Sequence, residues 1–245
     1  MKTPPRFALD AAPGPDGIAR ITGAEAHHMR DVARIAPSDT VTLIDASGAE
    51  YSARLERYGH AVAELRILAL HAAKSRPELI IAPAIIKGPR MDFLTEKAAE
   101  LGATSLWPVV CARGLVRAPG AERIARWNRL AIAAAKQSMA VPPMRVHEAI
   151  DFAGLVSAAR RDPTFGGIRL ICTPGAEPAG AILERERPRA ILIACGPEGD
   201  FDADERALAS QAGFIAAGLG PNRLRSETAV IAAIAIAAQW LASGV

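Results

Sequence analysis

The stretch AILIACGPEGDFDADE, residues 190–205, sets the terms for the whole chain. An unbroken apolar run from Ile191 to Cys195 passes into Gly196-Pro197-Glu198-Gly199-Asp200, and Asp202 with Glu205 has the spacing of a capping box at a helix start. Strand, glycine-bearing loop and helix in that order form one unit of a parallel α/β sheet, and the C-terminal ends of such strands are where these sheets hold ligands. The glycines let backbone N–H groups come close to a ligand, and Glu198 offers an acceptor for a hydroxyl or amine. Many α/β proteins carry such a turn for topology alone, so the loop by itself leaves both readings open.

A second stretch of the same grammar is FIAAGLGPNRLRSETA, residues 214–229. Gly218 and Gly220 match the start of a dinucleotide fingerprint, but Arg223 stands at the third glycine position and no acid follows at the ribose spacing, which disfavours a nucleotide-dependent oxidoreductase. What remains is a glycine-containing loop with Arg223 and Arg225, then Ser226 as the expected N-cap beside Glu227 and Thr228. The plainer alternative is a capping loop with solvated arginines.

Working outward, apolar runs alternate with helical patterns from Leu79 onward. Strands are expected at LIIAPAII, TSLWPVV, MRVHEA, IRLIC, AILIAC and FIAAGL, with helices around Met91–Leu101, Ala121–Ser138, Asp151–Ala159, Ala203–Gln211 and Glu227–Ala242. The first 70 or so residues read differently, as short strands RFAL, GIARI, VTLIDA, EYSARLER and HAVAELRIL around one helical segment, AEAHHMRDVAR. LIDASGAEYSA suggests a hairpin with Ser47 and Gly48 at its turn. The pattern breaks at residues 72–78, which places a small β-rich domain at 1–73 and an α/β domain at 76–245.

Composition narrows the function classes. The 245 residues are 50% hydrophobic and 22% charged, the make-up of a globular protein with a real core. Cys111, Cys172 and Cys195 lie in apolar, strand-like surroundings without a CxxC or a neighbouring His, so buried free thiols in a reducing cytoplasm are expected, with no metal. The N-terminus has Pro pairs where a secretory signal needs apolar residues, and the run Ala229–Ala242 is too short for a membrane span. A cytoplasmic protein without a membrane partner is therefore expected. Net charge is only +3, but residues 1–74 balance nine Lys/Arg against nine Asp/Glu, leaving the surplus to the rest. Arg113, Arg117, Arg123, Arg126 and Arg129 against the single Glu122 form a candidate face for an anionic ligand.

GPEGDF followed by LGPNRLRSETA resembles the paired motifs of the knotted SPOUT methyltransferases, most closely the 16S ribosomal RNA uracil-N3 methyltransferase family. Lys87, the segment MDFLTEKAAELGATSLWPVVCARG, Arg126-Trp127 and AAKQS at 134–138 are similar to further motifs of that family. So are Arg6-Phe7 and, within EAHHMRDVAR, His28, Val32 and Arg34. The resemblance spans nearly the whole chain. Four positions depart from it: Asp200 replaces a second Gly, Asn222-Arg223 stands where Arg and an apolar residue are usual, Ala140 replaces an Arg, and Ala33-Arg34 replaces Leu-Arg.

The resemblance implies an α/β architecture: a PUA-like RNA-binding β-barrel followed by a SPOUT domain with a deep trefoil knot, a homodimer that methylates 16S rRNA of the small ribosomal subunit. It implies S-adenosyl-L-methionine held by Cys172, Thr173, Gly196, Glu198, Gly199, Leu219, Gly220, Leu224, Thr228 and Ala229. Uracil N3 methylation combines proton loss with attack on a sulfonium methyl. Arg225 is therefore the first candidate to stabilise charge on the base and Arg223 the second, while Glu227 would orient that arginine or act as the base. Arg6, His28, Arg34, Lys87, Arg113 and Arg126 are the expected RNA contacts. A SPOUT enzyme acting on a ribose 2′-hydroxyl or another uridine, and a non-catalytic assembly factor, are the competing readings.

Overall fold

The computed structural model describes residues 4–9, 11–45, 49–71, 76–114, 116, 118–138, 140, 142–161 and 167–243. The Ser47–Gly48 turn, Arg117 and part of the expected boundary stretch lie outside the described residues. The chain divides into two compact units, Met1–Ser75 with Val141–Pro143, and Arg76–Ala140 with Met144–Val245.

In the smaller unit, five strands form one sheet in the order β1-β3-β4-β5-β2: β1 (Arg6–Leu9), β2 (Ile18–Thr22), β3 (Thr40–Asp45), β4 (Glu50–Tyr58) and β5 (Val62–His71). Only β1 and β3 run parallel. Alternation along these strands puts Phe7, Leu9, Val41, Leu43, Ala53, Leu55, Ala63 and Leu65 into one core, closed by Met29. The segment read as one helix is a short α1 (Gly23–His27) running into a π-helical turn at His28–Val32. Arg34 follows with φ +53°, an uncommon conformation for a side chain-bearing residue.

The larger unit has a six-stranded sheet in the order β13-β11-β12-β6-β7-β9, every pairing parallel. Its strands are β6 (Leu79–Pro83), β7 (Ser105–Leu106), β9 (Arg145–Val146), β11 (Ile168–Cys172), β12 (Ile191–Cys195) and β13 (Phe214–Ala217), and β8 (Val109–Val110) pairs separately with β10 (Ile150–Asp151). All residues of β6 and β12 are buried because helices cover both faces. On one face, Leu79, Ile81, Ile191 and Ile193 pack with α2 (Pro89–Glu100), α3 (Ala121–Ser138), α5 (Ala179–Glu186) and α7 (Ser226–Ala242). On the other, Ile80, Ala82, Leu192 and Ala194 pack with α4 (Phe152–Arg161) and α6 (Ala203–Gln211).

The structure redraws some of the expected elements. TSLWPVV divides into β7 and β8, with Pro108, which has no N–H to donate, between them. MRVHEA shortens to the edge strand β9, where the Asn128 side-chain amide takes the place of a neighbouring strand. It accepts from Val146 N–H at 3.1 Å and donates to Val146 C=O at 3.0 Å. Helix α5 was not anticipated. Among the described residues, no helix is long and apolar enough to cross a membrane.

Candidate active site

Strands β13, β11 and β12 are neighbours, so the loops leaving their C-terminal ends emerge side by side. The loops after β11 and β13 are joined by backbone bonds. Gly218 N–H donates to Glu177 C=O at 2.7 Å, Ala179 N–H donates to Gly218 C=O at 2.9 Å, and Thr173 N–H donates to Ala217 C=O at 2.9 Å. A Cβ on Gly218 would lie 2.4 Å from the Ala176 carbonyl oxygen, so this approach requires glycine. Glu177 is also paired with Arg185 on α5, which ties the loop to the helix behind it.

After β12 the chain turns through Gly196–Asp200, closed by Asp200 N–H donating to Pro197 C=O at 2.9 Å. Asp200 has φ +59°, which explains why a glycine suits this position. Its carboxylate accepts from Phe201 N–H at 2.7 Å and from Arg206 Nη1 at 3.0 Å, so the extra charge of this departure is paired within the loop and α6. The expected capping box is present: Asp202 accepts from Glu205 N–H, and Glu205 accepts from Asp202 N–H. The other oxygen of the buried Glu205 accepts from Ala112 N–H at 2.8 Å, and nearby Arg113 Nη1 donates to Gly199 C=O at 3.1 Å. The segment after β8 thus braces the glycine loop.

The loop after β13 reaches the same place. Arg223 Nη2 lies 3.5 Å from Glu198 C=O, and Gly220 takes φ +120° with open space where a Cβ would be. The expected N-cap is corrected: Arg225, in extended conformation and making no side-chain capping bond, is the N-cap of α7, while Ser226 is the buried first residue of the helix. Ser226 already lies within the helix, one residue past the position from which a side chain caps it. Leu224 and Ala229 are half-buried, and Arg225 and Thr228 are exposed at the rim.

The structure adds Arg90, which the sequence reading did not single out. From the first turn of α2 it reaches Glu198 Oε1 at 3.0 Å and Glu227 Oε2 at 3.5 Å, linking both motif loops. An arginine in the first turn opposes the helix macrodipole, and that position just beyond a parallel strand was the available sequence signal. Glu227 Oε2 is buried and has no hydrogen-bond partner.

Cys172 and Cys195 lie beneath these loops as free thiols with sulfurs 3.2 Å apart. The Cys172 hydrogen bond and burial push the Cys195 thiol well above its ordinary value. Burial, with Glu205 and Asp202 nearby, pushes the Cys111 thiol up to about 12.

The nucleic-acid candidates are dispersed. Lys87 is exposed between β6 and α2, near Arg90 in the chain, whereas Arg126 is held on α3 by Asp92 through bonds of 2.9 and 3.1 Å. Arg6, His28 and Arg34 belong to the smaller unit. Arg6 pairs with Glu50 at 3.0 Å, and His28 meets the Phe7 ring edge-on at 5.6 Å. A separate cavity of about 390 Å³ opens at the N-termini of α4 and α6. Its Asp151, Asp202 and Glu205 carboxylates accept from backbone N–H groups, which ties them to the surrounding chain.

Residues 73–238 match the RNA methyltransferase domain family. A ribosomal RNA small subunit methyltransferase E from Neisseria gonorrhoeae, solved bound to S-adenosyl methionine, is 33% identical, with 96% of each chain covered and a TM-score of 0.72. A Legionella pneumophila protein solved in complex with the same cofactor is 25% identical, covering 96% of this chain and 97% of its own, with a TM-score of 0.70. Ribosomal RNA small subunit methyltransferase E of Mycobacterium bovis is 28% identical over 97% of this chain and 94% of its own length. On the family match and the 33% identity across nearly the full length, the chain belongs to the RNA methyltransferase domain family, in the group of ribosomal RNA small subunit methyltransferase E proteins.

Proposed function

We propose that the protein transfers the methyl group of S-adenosyl-L-methionine to N3 of a specific uridine in 16S rRNA of the small ribosomal subunit. The observation that carries this reading is the meeting of Arg90 at the start of α2, Glu198 in the loop after β12 and Glu227 at the start of α7, with one Glu227 oxygen buried without a hydrogen bond. Kinship with enzymes named for small-subunit rRNA methylation, two of whose structural relatives hold the cofactor, supports it.

The residues present fit that cofactor. Gly220 leaves its backbone beside open space, and Glu198 and Glu227 offer carboxylates to a cationic group. Cys172, Thr173, Gly196, Glu198, Gly199, Leu219, Gly220, Leu224, Thr228 and Ala229 would hold it. When bound, it supplies an electrophilic methyl on a positively charged sulfur. Arg225, with Arg223 as the alternative, stabilises negative charge on the uracil oxygens, and Glu227 receives the N3 proton. Alignment of N3 with the methyl group provides the remaining acceleration.

In this reading the smaller unit is a PUA-like RNA-binding barrel, and Arg6, His28, Arg34, Lys87, Arg113 and Arg126 contact RNA. The larger unit carries the trefoil knot of the SPOUT enzymes. Its all-parallel sheet, with β6 between β12 and β7, supports that topology. The half-buried Ile231, Ile236, Trp240 and Leu241 on the apolar α7 support a homodimer, and the buried free thiols suit the cytoplasm.

The test is transfer of labelled methyl from S-adenosyl-L-methionine to small ribosomal subunits lacking their native uracil methylation, followed by mass mapping. One N3-methyluridine, lost with Arg225→Ala while cofactor binding persists, is the expected result. A 2′-O-methyl product or another base would overturn the target, and binding without any transfer would favour an assembly factor.

A further inference from the structure

We propose that Arg90 is a positioning residue for Glu227: anchored on Glu198, its guanidinium faces the buried Glu227 Oε2 and so fixes the carboxylate with Oε1 turned to receive the proton of the methyl acceptor. The proposal rests on the methyl-transfer reading above and extends it to a residue outside both glycine motifs.

The first argument is geometric. Arg90 Nη2 is 3.0 Å from Glu198 Oε1, within range of a charge-assisted hydrogen bond. Arg90 Nη1 stands 3.5 Å from Glu227 Oε2, close enough for Coulomb attraction but longer than a proper hydrogen bond. Glu227 Oε2 is buried and has no hydrogen bond, so the ion pair with Arg90 is the contact that fixes this oxygen, and Oε1 is the oxygen left for the methyl acceptor.

The second argument is cost. A buried carboxylate oxygen held by a 3.5 Å ion pair and by no hydrogen bond is unfavourable, and native structures rarely keep one without a role. An arginine in the first turn of α2 is also unfavourable against the helix dipole. Glu227 itself, in the first turn of the 17-residue α7, is placed where a helix dipole favours an anion. Two local penalties meeting at one pair of side chains, beside loops that fit a cofactor, mark a site kept for chemistry.

The chemistry needs a carboxylate oxygen at the acceptor. In the transfer step the acceptor N–H bond breaks and its proton goes to Glu227 Oε1. The nitrogen electron pair forms the N–CH3 bond, and the pair of the broken S–CH3 bond stays on sulfur. Glu227 then returns the proton to water, and atoms and charge balance without an added oxidant or reductant. Glu198, 44% exposed, serves as the outer anchor for Arg90, while the Glu227 side chain is only 13% exposed.

The test compares Arg90→Gln, Arg90→Lys, Glu227→Gln and the Arg90→Gln/Glu227→Gln double variant of the full-length protein. Three quantities are read: the dissociation constant for S-adenosyl-L-methionine by calorimetry, the thermal midpoint, and kcat and KM for methyl transfer to small ribosomal subunits. Arg90→Gln is expected to lower kcat about 100-fold, with KM and the cofactor dissociation constant within about threefold of wild type. Arg90→Lys, keeping the charge, should recover at least about tenfold of that loss. The double variant should be no slower than Glu227→Gln alone, because both changes disable one device. Multiplicative losses in the double variant, or a loss confined to cofactor affinity or thermal midpoint, would overturn the role of Arg90 while leaving methyl transfer standing. A wild-type protein that binds cofactor but transfers no methyl group would overturn both.

Discussion

Charged side chains are arranged differently in the two units, and the contrast locates the chemistry. In the smaller unit one group of ion pairs follows from strand register. Glu64 on β5 stands opposite Arg20 on β2 and Arg57 on β4, and pairs with both, at 3.5 and 2.7 Å. Such cross-strand pairs dress a half-buried sheet. In the larger unit, Arg90 joins carboxylates from a loop and a helix start far along the chain, which no strand pairing requires. Charges between register partners stabilise a surface; charges gathered from separate strand ends build a site.

The sharpest way to break this contrast is Glu227→Gln, which keeps the shape and removes the proton acceptor. Methyl transfer should fall about 1000-fold with the cofactor dissociation constant nearly unchanged, measured by single-turnover kinetics and calorimetry. A loss below about tenfold would return Glu227 to the status of a surface charge. Next in size is Gly218→Val. Its side chain would start 2.4 Å from the Ala176 carbonyl oxygen, so the paired loops must separate. Overpacking of this kind costs roughly 1–3 kcal/mol, and cofactor affinity should weaken about tenfold or more in the same calorimetric assay.

These two positions show what was readable. Gly218 stood out because a glycine loop between strand and helix is a local pattern, and so did the Asp202–Glu205 capping box, whose partners are three residues apart. Arg90 did not, because its meaning depends on partners brought near only by the sheet order. Helix α5 was hidden for another reason. It has eight residues, and its C-cap is Arg187 in the left-handed conformation, φ +46°, where a glycine would have announced the stop. Ser226 misled because its residue type suits a cap, whereas packing of α7 draws it inward. In the smaller unit, alternation made the strands legible, but nothing in the pattern separates the π-helical turn at His28–Val32 from ordinary helix.

Smaller effects sharpen the comparison. Asp200→Gly relieves a left-handed residue, a gain of roughly 1 kcal/mol, and loses bonds to Phe201 N–H and Arg206 of similar size. Its thermal midpoint should stay close to wild type and its cofactor affinity within about twofold, which would show that this departure leaves the cradle intact. Smallest of all, Arg66→Ala removes an exposed pair with Glu56 on the smaller unit. Melting should shift by no more than about 1 °C and cofactor affinity should not move.

The most direct measurement is hydrogen–deuterium exchange of the full-length protein with and without S-adenosyl-L-methionine. Protection is expected at residues 172–178, 196–200 and 218–229 and at the start of α2, with no change in β1–β5. Protection centred instead on Val110–Ala112 and Asp202–Leu208, the residues of the separate cavity, would contradict the assignment of the cofactor to the three strand-end loops.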